Sequence, residues 1–124
     1  MKYLILILIF CLNTAWAGIE ELIIAQSVAA GNDVTVTYTP PTGKEVRMVK
    51  FQGNAAEDAN TAVLLLWDYN QAGETVIWST HGSVSESVRI VVGTGDGTKQ
   101  VGLCLKNDDS VARVLSGKVI LEIR

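Results

Sequence analysis

At 124 residues the chain is long enough for one domain and too short for two. Ten Lys and Arg against thirteen Asp and Glu give a formal net charge of −3 with no basic run, so the phosphate neutralisation that nucleic-acid binding demands is not offered. Only two cysteines occur and one falls in the leader described next, which excludes the class of small secreted modules stapled by internal disulfides.

The first segment, "MKYLILILIFCLNTAWA", reads as a secretory signal. Lys2 supplies the basic start, and the apolar run from Tyr3 to Leu12 is about half of the ~20 residues needed to span a bilayer. Ala15 and Ala17 are the small residues a signal peptidase requires, so cleavage is expected after Ala17. Phe10 before Cys11 does not fit a lipidation site. The expected organisation is a signal at 1–17 and one domain at 18–124. The localisation is then secreted or periplasmic, with no membrane association after cleavage.

Beyond the leader no helical period persists, and alternation of two with turn residues dominates. "IEELIIAQS" (19–27) opens the domain and reads as a strand, although Glu20–Glu21 also suit a helix start. "DVTVTYT" (33–39) sets Val34, Val36 and Tyr38 against Thr35, Thr37 and Thr39, giving one buried and one wet face. "PPTG" (40–43) turns the chain, and "KEVRMVKFQG" (44–53) is the next strand. "NAAEDANTA" (54–62) reads as a loop. "AVLLLWDY" (62–69) is apolar on both faces, as a central strand covered on two sides would be. "ETVIWST" (74–80), "SVRIVV" (87–92), "KQVGLCLK" (99–106) and "KVILEIR" (118–124) complete the set. Seven or eight short strands at this spacing predict an all-β fold, a single antiparallel β-sandwich of jelly-roll type.

Two hairpins can be drawn from the turn chemistry. In "VRIVVGTGDGTKQVGLCL" a two-residue Asp96–Gly97 turn would set Val92 opposite Val101, Ile90 opposite Leu103 and Val88 opposite Leu105. In "LLLWDYNQAGETVIWS" a three-residue loop with Gly73 in the left-handed region places Trp67 and Trp78 on opposite faces. A two-residue Ala72–Gly73 loop would instead put the two rings face to face, but at the steric cost of positive φ at Ala72.

The candidates for chemistry are few. His81 is the sole histidine and sits among serines in "STHGSVSES", without the G-x-S-x-G elbow that would mark a nucleophile. A loop histidine, or one hydrogen-bonded at a strand end, is the simpler reading. "GTGDGTK" (93–99) is glycine-rich but lacks the lysine-ended pattern and following helix of a phosphate loop. Glu57, Asp58, Asp68 and Glu74 are available carboxylates, with no pair set apart for glycosidic cleavage. Asp96, Asp108 and Asp109 could offer oxygens to calcium, although Asn and Asp are also ordinary turn formers. Cys104, in "VGLCLK", reads as a small buried hydrophobe. No catalytic, metal or cofactor set is assigned. Trp67, Trp78 and Tyr69 are the candidate ligand-binding residues, because aromatic faces stack on sugar rings.

"LWDYNQAGETVIWSTHGS" followed by "GTGDGTKQVGLCLKNDD" resembles short β-sandwich proteins encoded by bacteriophages, often among structural genes. The likeness spans roughly residues 33–124. It implies a non-enzymatic component of a virion or surface assembly and transfers no site residue. The signal peptide departs from that pattern, since virions assembled in the cytosol need no export. The expected function is therefore an exported structural or interaction module with protein partners or copies of itself. A secreted carbohydrate-binding module, with polysaccharide as partner, is the alternative.

Overall fold

The computed structural model describes residues 18–55 and 60–124. The expected signal at 1–17, and Glu57 and Asp58, lie outside the described residues. Among the described residues nine strands form: β1 (Gly18–Val28), β2 (Asp33–Tyr38), β3 (Glu45–Asn54), β4 (Thr61–Trp67), β5 (Thr75–Thr80), β6 (Ser83–Glu86), β7 (Ile90–Thr94), β8 (Val101–Asn107) and β9 (Arg113–Ile123). Among the described residues no helix is long and apolar enough to cross a membrane.

The strands build two antiparallel sheets. One runs β1-β9-β3-β6, with β7 also paired to β3; the other runs β2-β8-β4-β5. β6 and β7 lie end to end along β3, facing residues 51–54 and 45–48 respectively. Counted as one interrupted strand they reduce the fold to eight. First then pairs with last, second with second-last, and so on inward to β4 with β5. That is a long antiparallel ribbon folded over on itself, the jelly-roll arrangement.

Alternation explains which side chains meet. Leu22, Val46, Met48, Phe51, Val119 and Leu121 of the larger sheet pack against Val63, Leu65, Val101, Leu103 and Leu105 of the smaller. Val34, Val36 and Tyr38 join that cluster, as the pattern of "DVTVTYT" predicts. Bulges bend β3 near Val49 and β5 near Ile77, curling each sheet around the core.

The expected hairpin of residues 87–105 is not formed. β7 and β8 belong to different sheets, so Val92 and Leu103 share the core without being strand neighbours. The cause lies in the loop between them. Asp96 is absent from the positive-φ residues while Gly97 is at +87°, so the mirror-image turn, which needs both, does not occur. Instead the Asp96 carboxylate accepts from the N–H groups of Thr98 and Lys99, and Gly95 exchanges backbone hydrogen bonds with Gly43 and Lys44. The loop therefore docks on the "PPTG" turn and carries the chain across to the other sheet. The strand expected at 87–92 is also displaced: 87–89 interrupts β6 and β7 rather than belonging to one strand.

Candidate functional site

The outward residues of the smaller sheet form three rungs. Asp33, Lys106 and Ala62 make the first. Thr35, Cys104, Leu64 and Ser79 make the second. Thr37, Gly102, Leu66 and Val76 make the third. Strand alternation puts all of them on the face opposite the core. The centre of this face is small or apolar and its margins carry hydroxyls and charges.

Tyr69 decides the shape of that face. It follows β4 and folds back over the third rung, where a Cβ on Gly102 would sit 3.1 Å from Tyr69 Cγ. A side chain there would press on the ring and on Thr35 Cγ2, also 3.1 Å away. At the other end the face stays open. A recess of about 290 Å³ lies there over Ala62 and Leu64, walled by Val76, Ser79 and His81 on one side and by Lys106 on the other. A second recess of 190 Å³ continues it over Asp33, sharing Lys106 and Asp108.

The polar groups around this recess are held by hydrogen bonds and an ion pair of their own. His81 Nδ1 is hydrogen-bonded to the backbone carbonyl of Thr61. A carbonyl only accepts, so Nδ1 carries the proton and, in the neutral ring, Nε2 is the acceptor. This is the strand-end histidine of the simpler sequence reading. Lys106 pairs with Asp108 at 3.5 Å, an exposed pair of both signs. Cys104 is 3% exposed, and burial pushes its thiol pKa up, against the lowering hydrogen bond of Thr35. It is thus the buried hydrophobe expected from "VGLCLK", and a poor nucleophile. Among the described residues no group of three or more His, Cys, Asp or Glu is placed to hold a metal ion.

The tryptophans lie elsewhere than expected. Trp78 is the rung partner of Leu65, and Trp67 is two residues beyond Leu65, so both rings turn to the core side of the sheet. Trp67 reaches across the sandwich: a Cβ on Gly93 would come within 2.3 Å of its ring. The predicted register fails because the loop is longer than three residues. Two successive turns, closed by Gln71 N–H to Asp68 carbonyl and Glu74 N–H to Gln71 carbonyl, span 68–74. Asp68 and Asn70, not Gly73, take positive φ, at +56° and +61°; short polar side chains tolerate it. The bulge then falls within β5 instead of at the loop. Of the three candidate ligand-binding residues, only Tyr69 is on the outward face.

The carboxylates considered for calcium are engaged by their own loops. Asp96 Oδ1 accepts three hydrogen bonds of 2.8 Å, from Thr98 N, Thr98 Oγ1 and Lys99 N. The Lys99 and Thr98 N–H groups hold its pKa down at about 2. Asp109 accepts from Arg113 Nε and Nη2 and from Ser110 N, and the Arg113 bonds lead in lowering its pKa. Asp96 precedes β8 whereas Asp108 and Asp109 follow it, so the two sets lie at opposite ends of that strand. Glu74 accepts the Asn70 N–H within its own loop.

Asn107, at the end of β8, is a fully buried hub. Its amide donates to the carbonyls of Val28 and Val111 at 2.9 Å, and its carbonyl accepts the Asp109 N–H. The signal was available: Asn107 continues the inward parity of Val101, Leu103 and Leu105, where a polar residue must find internal partners.

No family model matches the chain, and no curated protein matches its sequence. Among solved structures it is similar to PliG of Aeromonas hydrophila, a periplasmic inhibitor of g-type lysozyme, with a TM-score of 0.48, 9% identity and coverage of 86% of this chain and 89% of that one. It is also similar to the Yersinia pseudotuberculosis-derived mitogen, with a TM-score of 0.40, 15% identity and coverage of 87% and 86%. No residue role in this chain is taken from either.

Proposed function

We propose that the protein is an exported, non-enzymatic interaction module that holds a polypeptide segment of a partner protein against the outer face of its smaller sheet. The observation that carries this reading is the open recess over Ala62 and Leu64. Its aliphatic floor suits a partner's apolar side chain, while Ser79, His81 and the Lys106–Asp108 pair suit the flanking backbone and charges. The polysaccharide alternative is supported less well. Sugar recognition relies on exposed aromatic faces, and Trp67 and Trp78 pack on the core while Tyr69 lies on Gly102.

Site-specific photo-crosslinking tests this reading in cells that export the protein. A benzophenone side chain replacing Val76 should give one discrete protein adduct, lost when Ser79→Arg fills the recess. The same probe at Val114, on the other sheet, should not give that adduct. Equal adducts from both positions, or a Ser79-dependent retention on polysaccharide with no protein adduct, would overturn the reading.

A further inference from the structure

Two sheets have four edges, and three of them are blunted. β2 is six residues long and stops at Pro40–Pro41, which have no N–H to donate. β5 is six residues long and bulged. β6 and β7 are four and five residues, broken apart at 87–89. Short lengths, bulges and prolines are the devices by which proteins keep sheet edges from pairing with other chains.

The fourth edge has none of these three, and its only charges are Glu20 and Glu21 near its start. β1 runs eleven residues, about twice a usual strand of ~5–6. Its register with β9 is unbroken from Gly18 opposite Ile123 to Val28 opposite Arg113. It contains no proline, lysine or bulge, and among the described residues it pairs with β9 alone. Backbone N–H and C=O groups therefore point outward along its free side at every second residue. On the outer face of the same strand Ile19 is 63% and Ile23 57% exposed.

We infer that β1 is a homodimerisation edge: two copies join antiparallel through this strand, with Ile23 opposite Ile23 on the twofold axis, making one continuous ten-stranded sheet. The charges of β1 rule out some registers and suit an axis at Ile23. An axis at Glu20 or Glu21 sets a carboxylate against its own copy. An axis at Ile23 sets Glu21 opposite Ala25, Glu20 opposite Gln26 and Leu22 opposite Ile24, so no like charges face each other. Lys118, beside Ile23 on β9, already pairs with Glu21 at 3.5 Å, which offsets the acidic charge close to the seam. The self-match in charge and apolarity points to a second copy rather than a foreign strand. This inference stands independently of the recess on the other sheet.

Light scattering and sedimentation of the purified protein should show a dimer. Ile23→Lys, which places like charges on the axis, should weaken dimerisation at least tenfold. Val91→Lys, equally exposed on the far side of the same sheet, should leave it intact. Ile23→Cys should form an intermolecular disulfide on mild oxidation, because directly opposed Cβ atoms lie about 4.5–5.5 Å apart. Ile19→Cys, opposite Ser27, should not. A protein monomeric at a hundred micromolar, a dimer insensitive to Ile23→Lys, or faster cross-linking at Ile19→Cys would each overturn the proposal. So would an Ile23-dependent complex with a different protein in place of the dimer. Circular dichroism confirms that each variant folds.

Discussion

β8 and β9 both run through the middle of a sheet, yet they are buried differently. From Leu115 onward β9 alternates strictly, with Leu115, Gly117, Val119, Leu121 and Ile123 inside and the residues between them partly exposed. β8 is buried at five consecutive positions, Val101 to Leu105. The larger sheet thus has one dry and one wet face, while the smaller sheet is covered on both over part of its area. The difference teaches that the face carrying the proposed site is partly covered by the protein's own chain. A single domain of this size needs only one core; the second covered surface, beneath Tyr69 and beside the recess, is extra to what a sandwich requires.

Truncations on the two sheets give the largest effects. Leu121→Ala on β9 and Leu103→Ala on β8, both fully buried, should each lose ~2–5 kcal/mol in urea unfolding. The discriminating pair lies on the outer faces. Leu66, 4% exposed on the outer face of β4, should lose a comparable ~2–5 kcal/mol on Leu66→Ala. Val114, 79% exposed on β9, should change stability by no more than about 0.5 kcal/mol on Val114→Ala. Equal small losses at Leu66 and Val114 would mean that the smaller sheet is no better covered. Cys104 gives the same test without a core truncation: its labelling by a thiol reagent should be slow in the native protein and fast in denaturant.

Two substitutions of intermediate size probe what joins the sheets. Gly93→Ala would drive a methyl into the Trp67 ring, and overpacking of this kind costs about 1–3 kcal/mol. Tryptophan emission should shift as the ring is displaced. Asn107→Ala removes the donor shared by the Val28 and Val111 carbonyls, leaving buried acceptors unpaired at a cost of about 1–3 kcal/mol. If Asn107→Ala unfolds at the wild-type midpoint, the hub is not holding the end of β8.

The contrast between the sheets also explains what could be read from residues alone. Strands with one wet face announce themselves, so β2 and β3 fall within a residue or so of the expected bounds and Val34, Val36 and Tyr38 point as predicted. Alternation fixes a side chain's face but not the strand's neighbour. Val92 and Val101 therefore looked like hairpin partners when they meet only across the core. Loop chemistry has the same limit: Asp96–Gly97 suits a tight turn until the carboxylate captures three hydrogen bonds of its own. β6 escaped because "SVSE" is a polar edge, and the first turns of β9 because "RVLSG" has little apolar pattern. At the candidate site the doubly apolar character of β4 was legible, whereas the folding back of Tyr69, which leaves one end of that face open, depends on Gly102 of the neighbouring strand β8, far along the chain.

The smallest expected effect concerns how the chain enters these two strands. Asp96 sits in the loop before β8 and Asp109 in the loop before β9, and both have pKa values held below the ordinary carboxylate range. A carboxyl whose folded pKa is depressed adds stability that is present above its unfolded value, about 3.9, and lost as pH falls toward the folded one. For Asp96 that window runs from about pH 4 down to its folded value of about 2. The causes differ. Asp96 is held chiefly by backbone N–H groups, and Asp109 chiefly by Arg113. The Asp109–Arg113 pair is only part-buried, its guanidinium 41% exposed, so salt screens it more than a hydrogen bond to a backbone amide. Unfolding midpoints measured between pH 5 and 2 should therefore fall less steeply in Asp96→Asn than in the wild type, at both low and high salt. Asp109→Asn should flatten the same limb at low salt, with the difference shrinking in molar salt. Parallel acid limbs for wild type and Asp96→Asn would show that the loop into β8 is held by something other than its carboxylate.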